Sequence, residues 1–159
     1  MLKKVEISTL TLLFIFVFYC ALTIGISWDL EMEIERGNER LKYILLQNSF
    51  DNYVIATKHI GGQYYPAFYT TFASFVAKLF PKKYEFEIWQ LTNSVFSILT
   101  VFGIYRISSN LFNKKVGKIV FLLCFLNPIF FGHMAMNPKD TIIAFAHVWS
   151  TYIFLRYLK

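Results

Sequence analysis

Two aspartates stand where long stretches without charge come to an end. Ile7–Trp28 holds no charged residue and is followed by Asp29, and Ile119–Pro138 is followed by Lys139 and Asp140. A single carboxylate just outside the hydrocarbon core of a membrane is common and does not by itself indicate a function. Two carboxylates that the fold brings together over an open pocket could carry out acid–base chemistry on a lipid-borne substrate.

The apolar stretches that must position these acids have the length of membrane-spanning helices. The chain has 159 residues, of which 56% are hydrophobic and 19% aromatic, and its mean hydropathy is +0.46. Its apolar residues form blocks of roughly 15 to 22 residues. A helix needs about 20 residues to cross a bilayer, so these blocks are long enough to span or nearly span it. We therefore predict an all-α integral membrane protein with about four transmembrane helices, at 7–28, 88–105, 119–138 and 141–155.

A further apolar stretch, Ile60–Ala77, is predicted to lie at the membrane interface. It opens with Gly61-Gly62 and contains Pro66, so only about a dozen strongly apolar positions remain. If this stretch lies outside, the cytoplasmic side holds eight basic residues and Glu6, with a net charge of +7. The outer side then holds eight basic and nine acidic residues, with a net charge of −1. The positive-inside rule then favours a multi-pass protein of the cell (inner) membrane, with both termini cytoplasmic and an exoplasmic first loop at 29–87.

The formal charge of +6 does not indicate a nucleic-acid partner, because the basic residues stand at the ends of the apolar stretches and not in one patch. Cys20 and Cys124 both fall inside apolar stretches and are interpreted as small buried residues. The sequence has no Cys/His cluster at metal-ligand spacing, and a metal held by Asp29 and Asp140 has no support. No metal or other cofactor is expected.

The start of the first loop has the pattern of an amphipathic helix lying along the membrane surface. Apolar residues recur at about 3.6-residue spacing on one face, and polar ones fall mainly on the other. The apolar set is Leu30, Ile34, Leu41, Ile44 and Leu45, and the polar set is Glu31, Glu35, Asn38, Glu39 and Lys42. Gly37 weakens this helix locally. Glu33, Glu35 and Glu39 are interpreted as its solvated face.

This order of parts resembles the GT-C membrane glycosyltransferases, in particular the protein O-mannosyltransferase and aminoarabinose-transferase superfamily, family 39. The acidic motif after the first span would be Asp29-Leu30-Glu31, and the aromatic-proline element would be Tyr64-Tyr65-Pro66-Ala67. The later acid would be Asp140, in Asn137-Pro138-Lys139-Asp140. The usual Asp-Glu pair is spread to Asp29-x-Glu31, and the usual double proline is reduced to Pro66. The resemblance covers only the N-terminal portion of such an enzyme.

The resemblance implies transfer of a sugar from a polyprenyl-phosphate-linked donor to a lipid, glycan or protein acceptor, with inversion at the anomeric carbon and membrane lipids around the site. We expect Asp29 to act as the base and Asp140 to orient the acceptor or the base. Glu31 is the third predicted catalytic residue, because the spread motif leaves open whether Asp29 or Glu31 is the key carboxylate. The predicted substrate-binding residues are Lys139, Arg36 and Arg40, which would hold the lipid phosphate, and Tyr65.

Each assignment has a structural alternative. Asp29 fits a favourable acid at a helix N-terminus, and Asn137, Pro138 and Asp140 fit the N-cap, first and third positions of a helix. His133 fits a hydrogen-bonded packing histidine, although ionisable groups at membrane depth often mark function. The alternative for the whole chain is a small non-catalytic polytopic membrane protein, or a subunit that requires a partner.

The charge distribution generates a test of the topology. In a background without Cys20 and Cys124, cysteine at position 51 should react with an impermeant thiol reagent added from outside, because it lies in the exoplasmic loop. Cysteine at position 115 should react only after the membrane is opened. Labelling of position 115 in intact cells would contradict the four-span topology.

Overall fold

The computed structural model of the chain describes residues 2–58 and 67–158, and every regular element in these ranges is helical. Side chains at 2–7, 28 and 67 are outside the description. The elements are α1 (Leu2–Thr23), α2 (Trp28–Ile44), α3 (Phe50–Lys58), α4 (Ala67–Lys78), a 3-10 turn (Lys82–Tyr84), α5 (Glu85–Leu111), α6 (Lys114–Phe125), α7 (Pro128–Met136) and α8 (Pro138–Tyr157).

The chain divides into two compact units. The terminal unit consists of residues up to Gly25 together with those from Asn93 onward, and the insert unit consists of Ile26–Thr92. The predicted all-α class therefore agrees with the described residues. The insert unit contains the whole of the predicted first loop, 29–87.

By length and composition, one helical stretch of the described residues can cross a membrane, namely Lys82–Leu111. The pair α6 and α7 meets the same criterion together, but the two helices are bent by 66° at the break between them. Ser8–Thr23 is apolar but shorter. One or two spans follow from this criterion, and the predicted total of four stays a prediction.

The predicted third span, 119–138, is not one continuous helix. α6 ends at Phe125, and α7 begins at Pro128. Pro128 has no N–H with which to continue the hydrogen-bond ladder of α6, and the Asn127 side chain caps the new helix by accepting from the Phe130 N–H at 3.0 Å. Asn127 and Pro128 thus form a second helix start inside the apolar stretch.

The other predicted boundaries shift for similar local reasons. The first predicted span, 7–28, ends as a helix at Thr23, and the next helix begins at Trp28. The fourth predicted span, 141–155, lies inside α8, which begins at Pro138 and continues to Tyr157. Proline is favoured at the first position of a helix, and this explains why α8 begins at Pro138, before its apolar stretch.

In the insert unit, α2 packs mainly against α4. Leu30, Ile34 and Leu41 of the predicted apolar face are 1%, 6% and 4% exposed, so this part of the amphipathic pattern is confirmed. Ile44 and Leu45 at the end of the pattern are exposed. The buried part of this face therefore packs inside the insert unit, and the position of α2 at a membrane surface stays a prediction.

Gly37 permits the close packing of α2 on α4. A Cβ at this position would overlap the Thr70 carbonyl and the Ser74 hydroxyl of α4. The residue predicted to weaken α2 is therefore the one that allows the two helices to approach.

In the terminal unit, the core joins four helices. It contains Val17 of α1, Val101 of α5, Phe121 and Phe125 of α6, and Met134 of α7. The rings of Phe121 and Phe125 stack with centroids 5.7 Å apart. The Phe125 ring also contacts the Phe131 ring of α7, with centroids 6.2 Å apart, and joins α6 to α7 across the bend.

The packing at Gly37 generates a stability prediction. Gly37→Ala should destabilise the protein by about 1–3 kcal/mol, because forced overlap with a backbone carbonyl outweighs the helix-propensity gain of at most about 1 kcal/mol. Thermal unfolding of the detergent-solubilised protein, followed by tryptophan fluorescence, measures the change. The matched control is Gly132→Ala in α7, where no atom lies within 4 Å of the added Cβ. Equal melting temperatures for both variants would contradict the packing role of Gly37.

Candidate functional site

Asp140 occupies the third position of α8, and Asn137 caps the helix before it. The Asn137 Oδ1 accepts the Asp140 backbone N–H at 3.1 Å, and the Asn137 Nδ2 donates to Asp140 Oδ2 at 2.8 Å. The Asn137 backbone N–H closes α7 by donating to the His133 carbonyl at 3.1 Å. The predicted N-cap arrangement of Asn137, Pro138 and Asp140 is confirmed.

The same amide group also orients His133. Asn137 Nδ2 lies 3.3 Å from His133 Nδ1. An amide nitrogen can only donate, so Nδ1 accepts and the proton of the neutral imidazole resides on Nε2. His133 is exposed, so it is not the packing histidine that the sequence suggested. One asparagine therefore positions an acceptor, the Asp140 carboxylate, beside a donor, the imidazole Nε2–H.

A buried asparagine on α5 fixes the helices that carry this group. Asn93 is 1% exposed, donates to the Met134 carbonyl at 2.9 Å and accepts from the Thr141 hydroxyl at 2.8 Å. Ser97, one turn later, donates to the same Met134 carbonyl at 3.0 Å. These bonds tie α5 to the end of α7 and to the start of α8. The neighbour of Thr141 is Asp140, whose position is set by this network.

His133 and Asp140 line one cavity of about 440 Å³ in the terminal unit. Asn127, the cap of α7, lines it as well, and the remaining wall is mainly apolar. A volume of this size fits a small-molecule site with few convergent polar groups. The Asp140 carboxylate and the His133 imidazole offer acid–base and hydrogen-bonding chemistry. Within residues 2–58 and 67–158, no group of three or more metal-ligating side chains occurs.

Asp29 and Glu31 lie in the first turn of α2, in the insert unit, and both are exposed. The Leu30 N–H donates to the Ser27 carbonyl at 3.0 Å as the helix begins. Glu31 lines a separate cavity of about 630 Å³ between α2, the end of α4 and the start of α5. The position of Asp29 agrees with the helix-start alternative. The convergence of Asp29 with Asp140 stays a prediction.

The two arginines predicted to hold a phosphate are buried in the insert unit. Arg36 is 4% exposed and pairs with Glu33 at 2.5 Å, and Arg40 is 5% exposed and donates to the hydroxyls of Tyr53 and Thr70 at 3.0 and 3.1 Å. The assignment of Glu33 to the solvated face was wrong, because this carboxylate is 2% exposed. A buried carboxylate needs a cation, and Arg36 supplies it from one helical turn away.

The pKa of Tyr69, on α4, is affected by this buried charge. Burial, and then the negative charge of Glu33, raise the pKa of the Tyr69 hydroxyl far above its ordinary value.

Two predicted site residues remain, Lys139 and Tyr65. Lys139 is half-buried at the second position of α8, beside Asp140. Tyr65, with the whole Tyr64-Tyr65-Pro66 element, lies outside the described residues.

Sequence reasoning missed Asn93, Ser97 and Asn127. The signals were present: Asn93, Ser97 and Thr100 recur at helical spacing in the predicted span 88–105, and polar residues in such a span face inward. Asn127-Pro128 repeats the Asn-Pro pair of 137–138, which marks a helix start.

The sequence model of a family described as dolichyl-phosphate-mannose-protein mannosyltransferase matches residues 65–159. This range includes His133, Lys139 and Asp140, whereas Asp29 and Glu31 precede it. No curated protein and no solved structure matches the chain.

The double role of Asn137 generates a prediction with a matched control. Asn137→Ala and Asn113→Ala each remove an asparagine N-cap, at α8 and α6 respectively, and each should cost about 1 kcal/mol of stability. Only Asn137→Ala also releases His133, so the His133 Nδ1 and Nε2 chemical shifts in selectively labelled protein should move towards a tautomer mixture. Unchanged His133 shifts in Asn137→Ala would contradict the hydrogen bond between them.

Proposed function

Because the chain belongs to the dolichyl-phosphate-mannose-protein mannosyltransferase family, we propose that it moves a sugar from a polyprenyl-phosphate carrier to an acceptor hydroxyl on the exoplasmic side of the membrane. The family is membrane-associated and of the GT-C glycosyltransferase type. The family match over residues 65–159 is the observation that carries this proposal. The identities of the sugar and of the acceptor lie beyond it.

The reaction is a displacement at the anomeric carbon. The acceptor oxygen forms a bond to that carbon while the bond from the carbon to the carrier phosphate breaks, and the phosphate leaves with the electron pair. The acceptor proton passes to a carboxylate as the new bond forms. A phosphate needs little protonation to leave, so one base and positive charge near the phosphate are sufficient.

In this proposal Asp29 takes the acceptor proton, Glu31 assists it, and Asp140 orients the acceptor or the base. The exposure of Asp29, Glu31 and Asp140 supports these roles, because a carboxylate must reach the substrate to act on it. The His133 Nε2–H, held in the cavity that Asp140 lines, would donate a hydrogen bond to the acceptor or to a phosphate oxygen.

Lys139 supplies positive charge beside Asp140, and it is the residue that we propose for the carrier phosphate. Arg36 and Arg40 remain candidates, but a phosphate would have to displace Glu33, Tyr53 and Thr70 from them. Lys139 is less buried than either arginine and directly precedes Asp140, which favours it over them.

The assigned acids generate a test on the full chain in its membrane. Asp29→Asn should lower sugar transfer from a polyprenyl-phosphate donor by roughly 10²–10⁴-fold, because the base is lost, and Asp140→Asn should lower it less. Asp51→Asn on α3 is the control, since it removes an exposed acid that lines neither cavity. Membrane insertion should be unchanged in all three.

Two results would contradict the proposal. Wild-type sugar transfer by both Asp29→Asn and Asp140→Asn would show that these two acids serve only to cap their helices. The absence of transfer from any polyprenyl-phosphate sugar by the inserted wild-type chain, with transfer restored by a second membrane protein, would support the subunit alternative.

A further inference from the structure

A second cavity of the terminal unit has the shape and polarity of a lipid site. It measures about 400 Å³ and lies between α1, α5 and α6. Most of its wall is hydrocarbon or aromatic ring, from Leu10, Leu13, Phe102, Phe121 and Leu122. The charged side chain in this wall is Lys118, and Thr9 and Tyr105 add hydroxyl groups.

The polar groups lie at one end of this groove. α5 and α6 are joined by a tight turn at Phe112-Asn113, so the end of α5 is opposite the beginning of α6. Tyr105 and Lys118 are nearer to this turn, and Phe102 and Leu122 are about 4.5 and 6 Å farther from it along their helices. The groove is therefore cationic towards the turn and apolar away from it.

The walls of the groove are held by specific packing. The rings of Phe102 and Tyr105 stack with centroids 5.7 Å apart and form one side. Phe121, 8% exposed, belongs to the buried core and forms the floor. Gly117, the neighbour of Lys118, brings α6 close to α5, because a Cβ there would overlap the Ser109 hydroxyl.

Basic residues cluster around the turn. Lys114, Lys115 and Lys118 are all exposed in the first turns of α6, and the chain contains no acid from 88 to 139. Arg106 follows Tyr105 on α5 and is also exposed. A cluster of this kind at a membrane surface attracts anionic lipid, by about 1 kcal/mol for each basic residue.

We propose that this groove binds an anionic phospholipid, with one hydrocarbon chain along Leu13, Phe121 and Leu122 and with its phosphate against Lys118. Charge complementarity selects an anionic over a zwitterionic headgroup, and the Tyr105 hydroxyl can donate a second hydrogen bond to the phosphate. The site is separate from the cavity of Asp140. No residue lines both cavities: Lys118 stands near the start of α6, whereas the Asp140 cavity is lined by Cys124 near the end of that helix.

The experiment uses the full-length protein in detergent and native mass spectrometry. The probes are phosphatidylglycerol and phosphatidylcholine with identical acyl chains, which differ in headgroup charge. Phosphatidylglycerol should bind more tightly to the wild type, and Lys118→Gln should weaken its binding by about fivefold. Lys115→Gln is the matched control, because it makes the same change of charge on the same helix at a residue outside the groove wall.

The apolar part of the groove is tested in the same way. Leu10→Trp should fill the groove and weaken phosphatidylglycerol binding. Leu12→Trp places the same side chain on α1 at a position that is 67% exposed and outside the groove wall, and it should leave binding unchanged. Circular dichroism of both variants reports whether α1 still folds.

Three results would overturn the proposal. Equal binding of the two lipids, or equal weakening by Lys118→Gln and Lys115→Gln, would reduce the effect to non-specific attraction. Competition by a polyprenyl phosphate together with loss of sugar transfer in Lys118→Gln would assign the groove to the sugar carrier. Retention of transfer in Lys118→Gln is the expected result, and it holds whether or not Asp29 proves to be the base.

Discussion

The terminal unit depends on one constraint: each new helix must satisfy the N–H groups of its first turn. The chain meets it three times with the same residue type, because Asn113, Asn127 and Asn137 each accept backbone N–H groups at the start of α6, α7 and α8. In hydrocarbon an unsatisfied amide costs several kcal/mol, so a break in an apolar stretch requires such a cap. The caps thus permit the short α7 and the bend that precedes it.

The cap at α8 also explains how capping and chemistry can share residues. Asn137 uses its carbonyl oxygen for the helix and its two amide hydrogens for His133 and Asp140. Helix capping and substrate binding are therefore not exclusive interpretations of Asp140. The carboxylate that completes the helix start is held in a fixed orientation at an exposed edge, and a group held in that way needs little reorganisation to act on a substrate.

The insert unit solves a different problem, the burial of charge. Glu33 and Arg36 are both almost fully buried, and removal of either partner would leave an uncompensated charge, which typically costs about 3–5 kcal/mol. Arg40 is held by hydroxyl groups of α3 and α4. The two arginines that looked available for a phosphate are instead joined to the packing of α2, and the exposed acids Asp29 and Glu31 remain on its outer side.

The sequence by itself determined the helical class, the amphipathic pattern of α2, the cap of α8 and, through its motifs, the family. These features arise from contacts within about four residues along the chain, and their signals are visible as local patterns. Only the tertiary structure decided that Glu33 is buried, that Gly37 is a contact point and that Asn93 joins three helices. Each of these depends on which residue of a distant helix lies opposite, as Thr70 does for Gly37 and Thr141 for Asn93. No spacing within a single helix encodes that partner.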